Sequence, residues 1–163
     1  VEEAVFYKDA DAVMYIKADG HVTAALCPEV KAKAFARLEE APAIASIYVE
    51  LSDCEYMDST FLGLIVGLNK RFKAKSGHPL VLLHANPTCL GLLKTIGVLK
   101  LVEVSNEERS FPMPMERISL GPRASASFLL DAHEELSDIS EENKARFSSL
   151  TKALRDSIDK ERD

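Results

Sequence analysis

Five short runs of β-forming residues alternate with three helical stripes between Val5 and Val104, and this alternation limits what the chain can fold into more than any other feature. Val5–Tyr7 and Val13–Ile16 read as strands around an Asp9-Ala10-Asp11 turn, the second running out at Asp19-Gly20. Pro28 opens a helix through Glu40 with Val30, Ala34, Phe35 and Leu38 on one face, and Pro42 closes it. Ile44–Leu51 is rich in β-branched and aromatic residues and reads as a central strand. A second helix starts at Asp58 or Ser59, is striped by Phe61, Leu62, Leu64, Ile65, Leu68 and Phe72, and ends in a basic turn before Gly77. Leu80–His84 is an unbroken apolar run of the kind covered on both faces of a sheet. Pro87 starts a third helix that stops near Gly97, and Leu99–Val104 reads as the last strand. The order β-β-α-β-α-β-α-β implies an α/β fold: a mixed sheet, parallel in part, flanked by helices.

From Ser105 to Arg123 the pattern fails, and Pro112, Pro114, Gly121 and Pro122 mark a linker or wrapping segment. Helical spacing then returns. Phe128, Leu129, Ala132, Leu136 and Ile139 form one stripe. Leu136, Phe147 and Ile158 recur every eleven residues, as do Ile139/Leu150 and Asn143/Leu154, which keeps a nearly straight stripe along a helix. Asp138 and Ser140 offer caps, so one helix should end and another begin near 138–140. The chain therefore divides into an α/β domain (1–108), a linker (109–123) and a helical extension (124–163). Leu150, Leu154 and Ile158 would be sticky if left bare, so the extension should be buried somewhere: against the α/β domain, in a homodimer, or on a partner helix.

Composition excludes several classes. With 47% hydrophobic residues in 163 the chain can bury a real core. The net charge of -6 is concentrated in residues 124–142, which carry six acidic and no basic side chains, while 143–163 have the opposite sign. No basic block exists to bind nucleic acid or an anionic membrane. Cys27, Cys54 and Cys89 are far apart and show no CxxC, so they read as free, buried thiols of a reducing compartment. Val1-Glu2-Glu3 is acidic where a signal peptide is basic, and the longest apolar run, Phe61–Leu68, is far short of the ~20 residues of a membrane span. The expected compartment is the cytoplasm. His21, His78, His84 and His133 lack metal-ligand spacing, and no cofactor motif is present.

The informative stretch runs from Tyr48 to Leu68, where an apolar strand gives way to a polar connection and Asp58-Ser59 sits at the mouth of an apolar helix. Asp58 and Ser59 could simply cap that helix. Ser59, Gly63 and Gly67 share a face at i, i+4, i+8. Each interior glycine costs about 1 kcal/mol against alanine, so the lane is explained either by close packing on the sheet or by a partner's approach. A hydrolase using Ser59 would need a base and an oxyanion site; the local motif holds no His, and no Gly-x-Ser-x-Gly elbow occurs.

Met57-Asp58-Ser59-Thr60-Phe61-Leu62-Gly63 resembles the signature Met-Asp-Ser-Ser-Gly-Leu-Gly of the STAS domain (sulfate transporter and anti-sigma factor antagonist), and within it the bacterial anti-anti-sigma factors. Ile96-Gly97-Val98-Leu99-Lys100-Leu101 looks like that family's last helix and strand, and Ala18-Asp19-Gly20 with Thr23-Ala24 like its second strand and loop. The likeness covers residues 1–108. It implies a STAS-type sheet and a non-enzymatic signalling protein in which Ser59 is the phosphoacceptor, with Thr60 as a secondary candidate. It also implies the partners: an anti-sigma factor that is a serine kinase, bound while Ser59 is unphosphorylated, and a PP2C-like phosphatase. Asp58 would support and cap the switch, and the face around Thr23, Met57, Phe61, Gly63 and Gly67 would dock the partner. The departure is Phe61 in place of a glycine, which either alters the surface beside Ser59 or tucks into the core. The alternative role is a STAS scaffold or a transport-system accessory subunit in which Ser59 is structural.

Overall fold

The structure, a computed structural model, describes residues 2–162. Val1 and Asp163, the outermost residues of the ranges expected for the α/β domain and the extension, lie outside the described residues. Strands β1 (Ala4–Ala10) and β2 (Val13–Val22) form a hairpin whose turn places Asp11 and Ala12 at φ 53° and 64°. Positive φ at both central residues matches the twist of the flanking strands. Next come α1 (Cys27–Leu38), β3 (Ser46–Glu50), β4 (Cys54–Met57), α2 (Ser59–Ser76), β5 (Val81–Leu83), α3 (Pro87–Ile96), β6 (Glu103–Ser105), β7 (Glu116–Arg117), α4 (Ala126–Ser137) and α5 (Glu141–Arg162). The sheet order is β6-β5-β3-β2-β1-β7, with β4 paired to the end of β2. It is a mixed sheet: β2, β3, β5 and β6 pair in parallel, and β1 pairs antiparallel with both of its neighbours, β2 and β7.

Three segments differ from the sequence expectation. The second strand does not stop at Asp19-Gly20. Gly20 adopts φ 70° and its register shifts there, so the strand bends, leaves β3 and continues alongside β4. β4 itself was hidden, because Cys54–Met57 alternates weakly and reads as a polar connection. At the other end Val98–Lys100 forms a single 3-10 turn, closed by the Leu101 N–H donating to the Val98 carbonyl, so the strand starts only at Glu103.

Alternation along β2 and β3 turns Met14, Ile16, Ala18, Ile47 and Val49 into the helix-side core. The wrapping segment crosses the opposite face. Phe111 meets the Tyr15 ring edge-on at 4.8 Å, the Arg109 guanidinium stacks on Tyr48 at 3.9 Å, and β7 pairs with β1. Cys27, Cys54 and Cys89 are free and buried. No helix among the described residues is long and apolar enough to cross a membrane.

The extension packs back as a hairpin on α2, forming a third layer. Ser125 caps α4 through the Phe128 N–H, and Ser140 caps α5 through the Asn143 N–H, so the break falls at 138–140 as the spacing predicts. Asn143 is buried and donates to the carbonyls of Ile96 and Leu136, which anchors α5 to the end of α3. Leu136 and Phe147 join the main core, Leu154 and Ile158 are half-buried, and Leu150 is exposed, so the α/β domain covers only part of that stripe.

His84 clasps the start of the wrapping segment. Its Nδ1 lies 2.9 Å from Glu50 and its Nε2 3.2 Å from the Asn106 carbonyl. The Glu50 carboxylate is the main reason its imidazolium is favoured, so its pKa is raised. A raised basic pKa stabilises the fold below the unfolded value, and that contribution is lost as pH climbs through the folded one. Urea midpoints should therefore fall as pH is raised upward from about 6.5. His84→Asn, which tolerates the φ of 57° found here, should remove that part of the slope. An unchanged pH profile in the variant would refute the clasp.

Candidate functional site

Asp58 is the residue on which the site is built. It has extended backbone angles at the N-cap of α2, and its Oδ1 accepts the Phe61 N–H at 2.9 Å. Its Oδ2 accepts the Ala24 N–H, also at 2.9 Å, and its own N–H donates to the Val22 carbonyl. One carboxylate thus caps the helix and ties it to the loop after β2. Burial raises the Asp58 pKa, opposed by the backbone N–H bonds of Phe61, Ala24 and Thr60 and by nearby His133.

Ser59 is the first residue of α2 and is half-buried. Its Oγ lies 2.7 Å from Nε2 of His133, which belongs to α4, and Nδ1 of the same ring lies 2.7 Å from the Leu129 carbonyl. A carbonyl can only accept, so Nδ1 carries a proton, and in the neutral ring Nε2 accepts from the Ser59 hydroxyl. The ring packs edge-on against Phe147 of α5 at 5.5 Å, and His133 is 3% exposed.

One turn on, α2 and α4 touch backbone to backbone. A Cβ on Gly63 would stand 2.2 Å from the Ala132 carbonyl oxygen, so no side chain fits there. Gly67, a turn further, is less constrained: a Cβ would meet Phe35 at 3.6 Å and Glu135 at 3.7 Å. The glycine lane is therefore filled by close packing against a helix, α4, and not against the sheet. Lys70–Glu135 and Lys31–Asp131, both at 3.8 Å, flank the contact. Open grooves of about 490 and 560 Å³ lie on its two sides.

Several expected site residues are placed differently. Phe61 and Met57 are fully buried in the main core, so neither side chain can form a docking surface. Phe61 occupies the first turn by pointing inward, which is how an aromatic replaces a glycine there. Thr60 is buried as well, which removes it as a second phosphoacceptor. Thr23 is partly exposed, and both its N–H and its hydroxyl donate to Glu3. His133 is the residue that the sequence reasoning missed. It is 74 positions from Ser59, and its one signal was its place on the buried stripe, one residue after Ala132.

The chain belongs to the STAS domain family: the family model described as Mlab, STAS domain, matches residues 5–103. Solved structures agree in fold. The unphosphorylated form of SpoIIAA, an anti-sigma factor antagonist and Bacillus cell fate determinant, superposes with a TM-score of 0.55 at 21% identity, over 64% of this chain and 90% of that one. TM1081 of Thermotoga maritima, assigned as an anti-sigma factor antagonist, gives 0.54 at 24% identity over 62% and 85%. An anti-sigma factor antagonist from Mycobacterium paratuberculosis gives 0.54 at 14% identity over 65% and 87%. No curated protein matches the chain in sequence.

Two sets of substitutions test this geometry. Asp58→Ala removes a cap and strands the Ala24 N–H, and should lower stability by about 2 kcal/mol in chemical denaturation, whereas Asp58→Asn should cost about 1 kcal/mol or less. Gly63→Ala forces a Cβ into the Ala132 carbonyl and should destabilise by about 1–3 kcal/mol despite alanine's better helix propensity. Gly91→Ala in α3, where a Cβ meets nothing within 4 Å, should stabilise by about 0.5–1 kcal/mol. Equal effects at the two glycines would show that α4 does not lie against Gly63.

Proposed function

We propose that the protein is an anti-sigma factor antagonist, a binding module switched by phosphorylation of Ser59. The observation that carries this reading is the position of the Ser59 hydroxyl: at the first residue of α2, beside the Asp58 cap, on a face with small neighbours. The likeness in fold to SpoIIAA and TM1081 supports it. Residues 1–108 form the module, 109–123 wrap its sheet, and 124–163 are an addition to it. In its unphosphorylated form the module binds an anti-sigma factor with serine-kinase activity through the α2 face of Ser59, Gly63 and Gly67, where α4 now lies on the buried Gly63, and through the Thr23 loop.

The kinase chemistry belongs to the partner. The Ser59 Oγ attacks the γ-phosphorus of a bound nucleoside triphosphate; the Oγ–P bond forms as the bond to the bridging oxygen breaks. The diphosphate leaves, and the hydroxyl proton passes to a base on the partner. The phosphate adds about −1.5 to −2 charges beside Asp58. The N-terminal end of α2 tolerates that charge, so the fold survives, while a partner shaped to a neutral hydroxyl is repelled. A PP2C-like phosphatase reverses the step. This reading makes the protein a cytoplasmic, non-enzymatic one. Ser59 and His133 resemble a nucleophile and base, but the ring is oriented by a carbonyl and the Phe61 N–H is already taken by Asp58. Neither Ser59 nor His133 lines the grooves beside α4.

A second reading has its own observation. The Ser59–His133 bond gives Ser59 a purely structural partner, which suits a STAS scaffold or transport-system accessory subunit. Affinity capture with wild type, Ser59→Ala and Ser59→Asp separates the two. The switch requires a kinase-type anti-sigma factor retained by wild type and Ala and lost, by at least tenfold, with Asp. Identical partners for all three would leave the structural reading standing.

A further inference from the structure

The face of α2 that carries Ser59 is covered by the protein's own C-terminal hairpin. Ala132 sits on Gly63 backbone to backbone, and His133 occupies the hydrogen-bonding direction of the Ser59 hydroxyl at 2.7 Å. A phosphoryl group on Oγ places its oxygens at about that same distance, so one cannot be built toward His133 with α4 seated. The contact is also incomplete. Beyond Gly63 it opens into grooves on both sides, and its flanking ion pairs are partly exposed. The hairpin is tethered by a short leash. The wrapping segment is held to β1 as far as Ile118, whose N–H donates to the Val5 carbonyl, and α4 begins at Ala126. Residues 119–125 between them can extend roughly 20 Å without disturbing the sheet.

We propose that the α4–α5 hairpin is an autoinhibitory cover: it occupies the partner's docking face and masks Ser59, and the module binds only when the hairpin lifts. The seated α4 also identifies the kind of partner element that fits, a helix presenting a small residue to the Gly63 lane. This inference rests on the phosphorylation-switch reading of the same face.

The test uses the full chain. Native-state hydrogen exchange should show α4 and α5 opening together, at least tenfold more often than β2 and β3. Ala132→Glu, which wedges the crossing, should raise hairpin exchange a further tenfold and leave the sheet unchanged. Lys31→Cys/Asp131→Cys, bridged by a short bismaleimide, should hold the hairpin shut, while the same variant capped with N-ethylmaleimide opens normally. The native thiols are buried and out of reach of both reagents. Hairpin amides that exchange only with the sheet, in every variant, would overturn the proposal. So would capture of a Ser59-dependent kinase equally by the bridged and the capped protein, an outcome that leaves the switch itself intact. A partner captured by the capped protein alone, and by Ala132→Glu more strongly than wild type, supports it. If capture never depends on Ser59 while the exchange results hold, the switch reading fails and the cover is structural.

Discussion

The close approach of α2 and α4 at Gly63 is the constraint from which the rest of the architecture follows. A helix lying on the outer face of a sheet needs one buried face, toward that sheet. Here Phe61, Ile65, Leu68 and Phe72 are buried together with Leu62, Leu64 and Val66, so α2 is apolar almost all round. A helix with that composition is best satisfied between two layers. The sheet supplies one and the hairpin the other. The missing side chain at Gly63 sets how near α4 can come, and that nearness brings His133 within hydrogen-bonding distance of Ser59.

The hairpin is also matched electrically to its place. α4 carries Asp131, Glu134 and Glu135, with Asp138 as its C-cap, and faces Lys31 and Lys70 on one side and Arg155 of α5 on the other. Such half-exposed pairs are individually weak, so they orient the hairpin more than they hold it. The firmer attachment lies at its far end, where Asn143 is buried and fully bonded to Ile96 and Leu136. The hairpin is thus anchored near α3 and packed over Ser59 through Ala132, His133 and Leu136, which are buried.

The alternation of strands and helices, the Asp58 cap and the break between α4 and α5 were all legible in the sequence, because each depends on local chemistry: period, capping residues, glycine and proline. β4 was not, since its place is decided by pairing with a strand that bends at Gly20, a tertiary event. The apparent last strand starts late for a related reason: an apolar run fits a 3-10 turn as well as a strand, and pairing with β5 begins only at Glu103. Met57 was misplaced on the docking face, and the choice between surface and core stayed open for Phe61, because family position says where a residue lies along the chain and not which way it points. The Gly63–Gly67 lane did signal close packing, but what packs there comes from residues some 70 positions away, and nothing local at His133 marks it as the neighbour of Ser59.

A cover that excludes a phosphate has a thermodynamic consequence. If the seated hairpin and a phosphorylated Ser59 are incompatible, each must oppose the other by the same free energy. Adding the phosphate then favours the open hairpin, and the acidic load of α4 strengthens that tendency by repulsion. Three states of one face follow: closed and unmodified, open and unmodified, open and phosphorylated. Only the second presents a neutral hydroxyl to a partner. The hairpin equilibrium and the kinase would therefore act on the same binding-competent fraction from opposite sides, and the affinity measured for a partner would be its intrinsic value reduced by that fraction. The acidic first helix of the extension, which dominates the net charge of the chain, would then set how readily the face opens as well as how the hairpin folds.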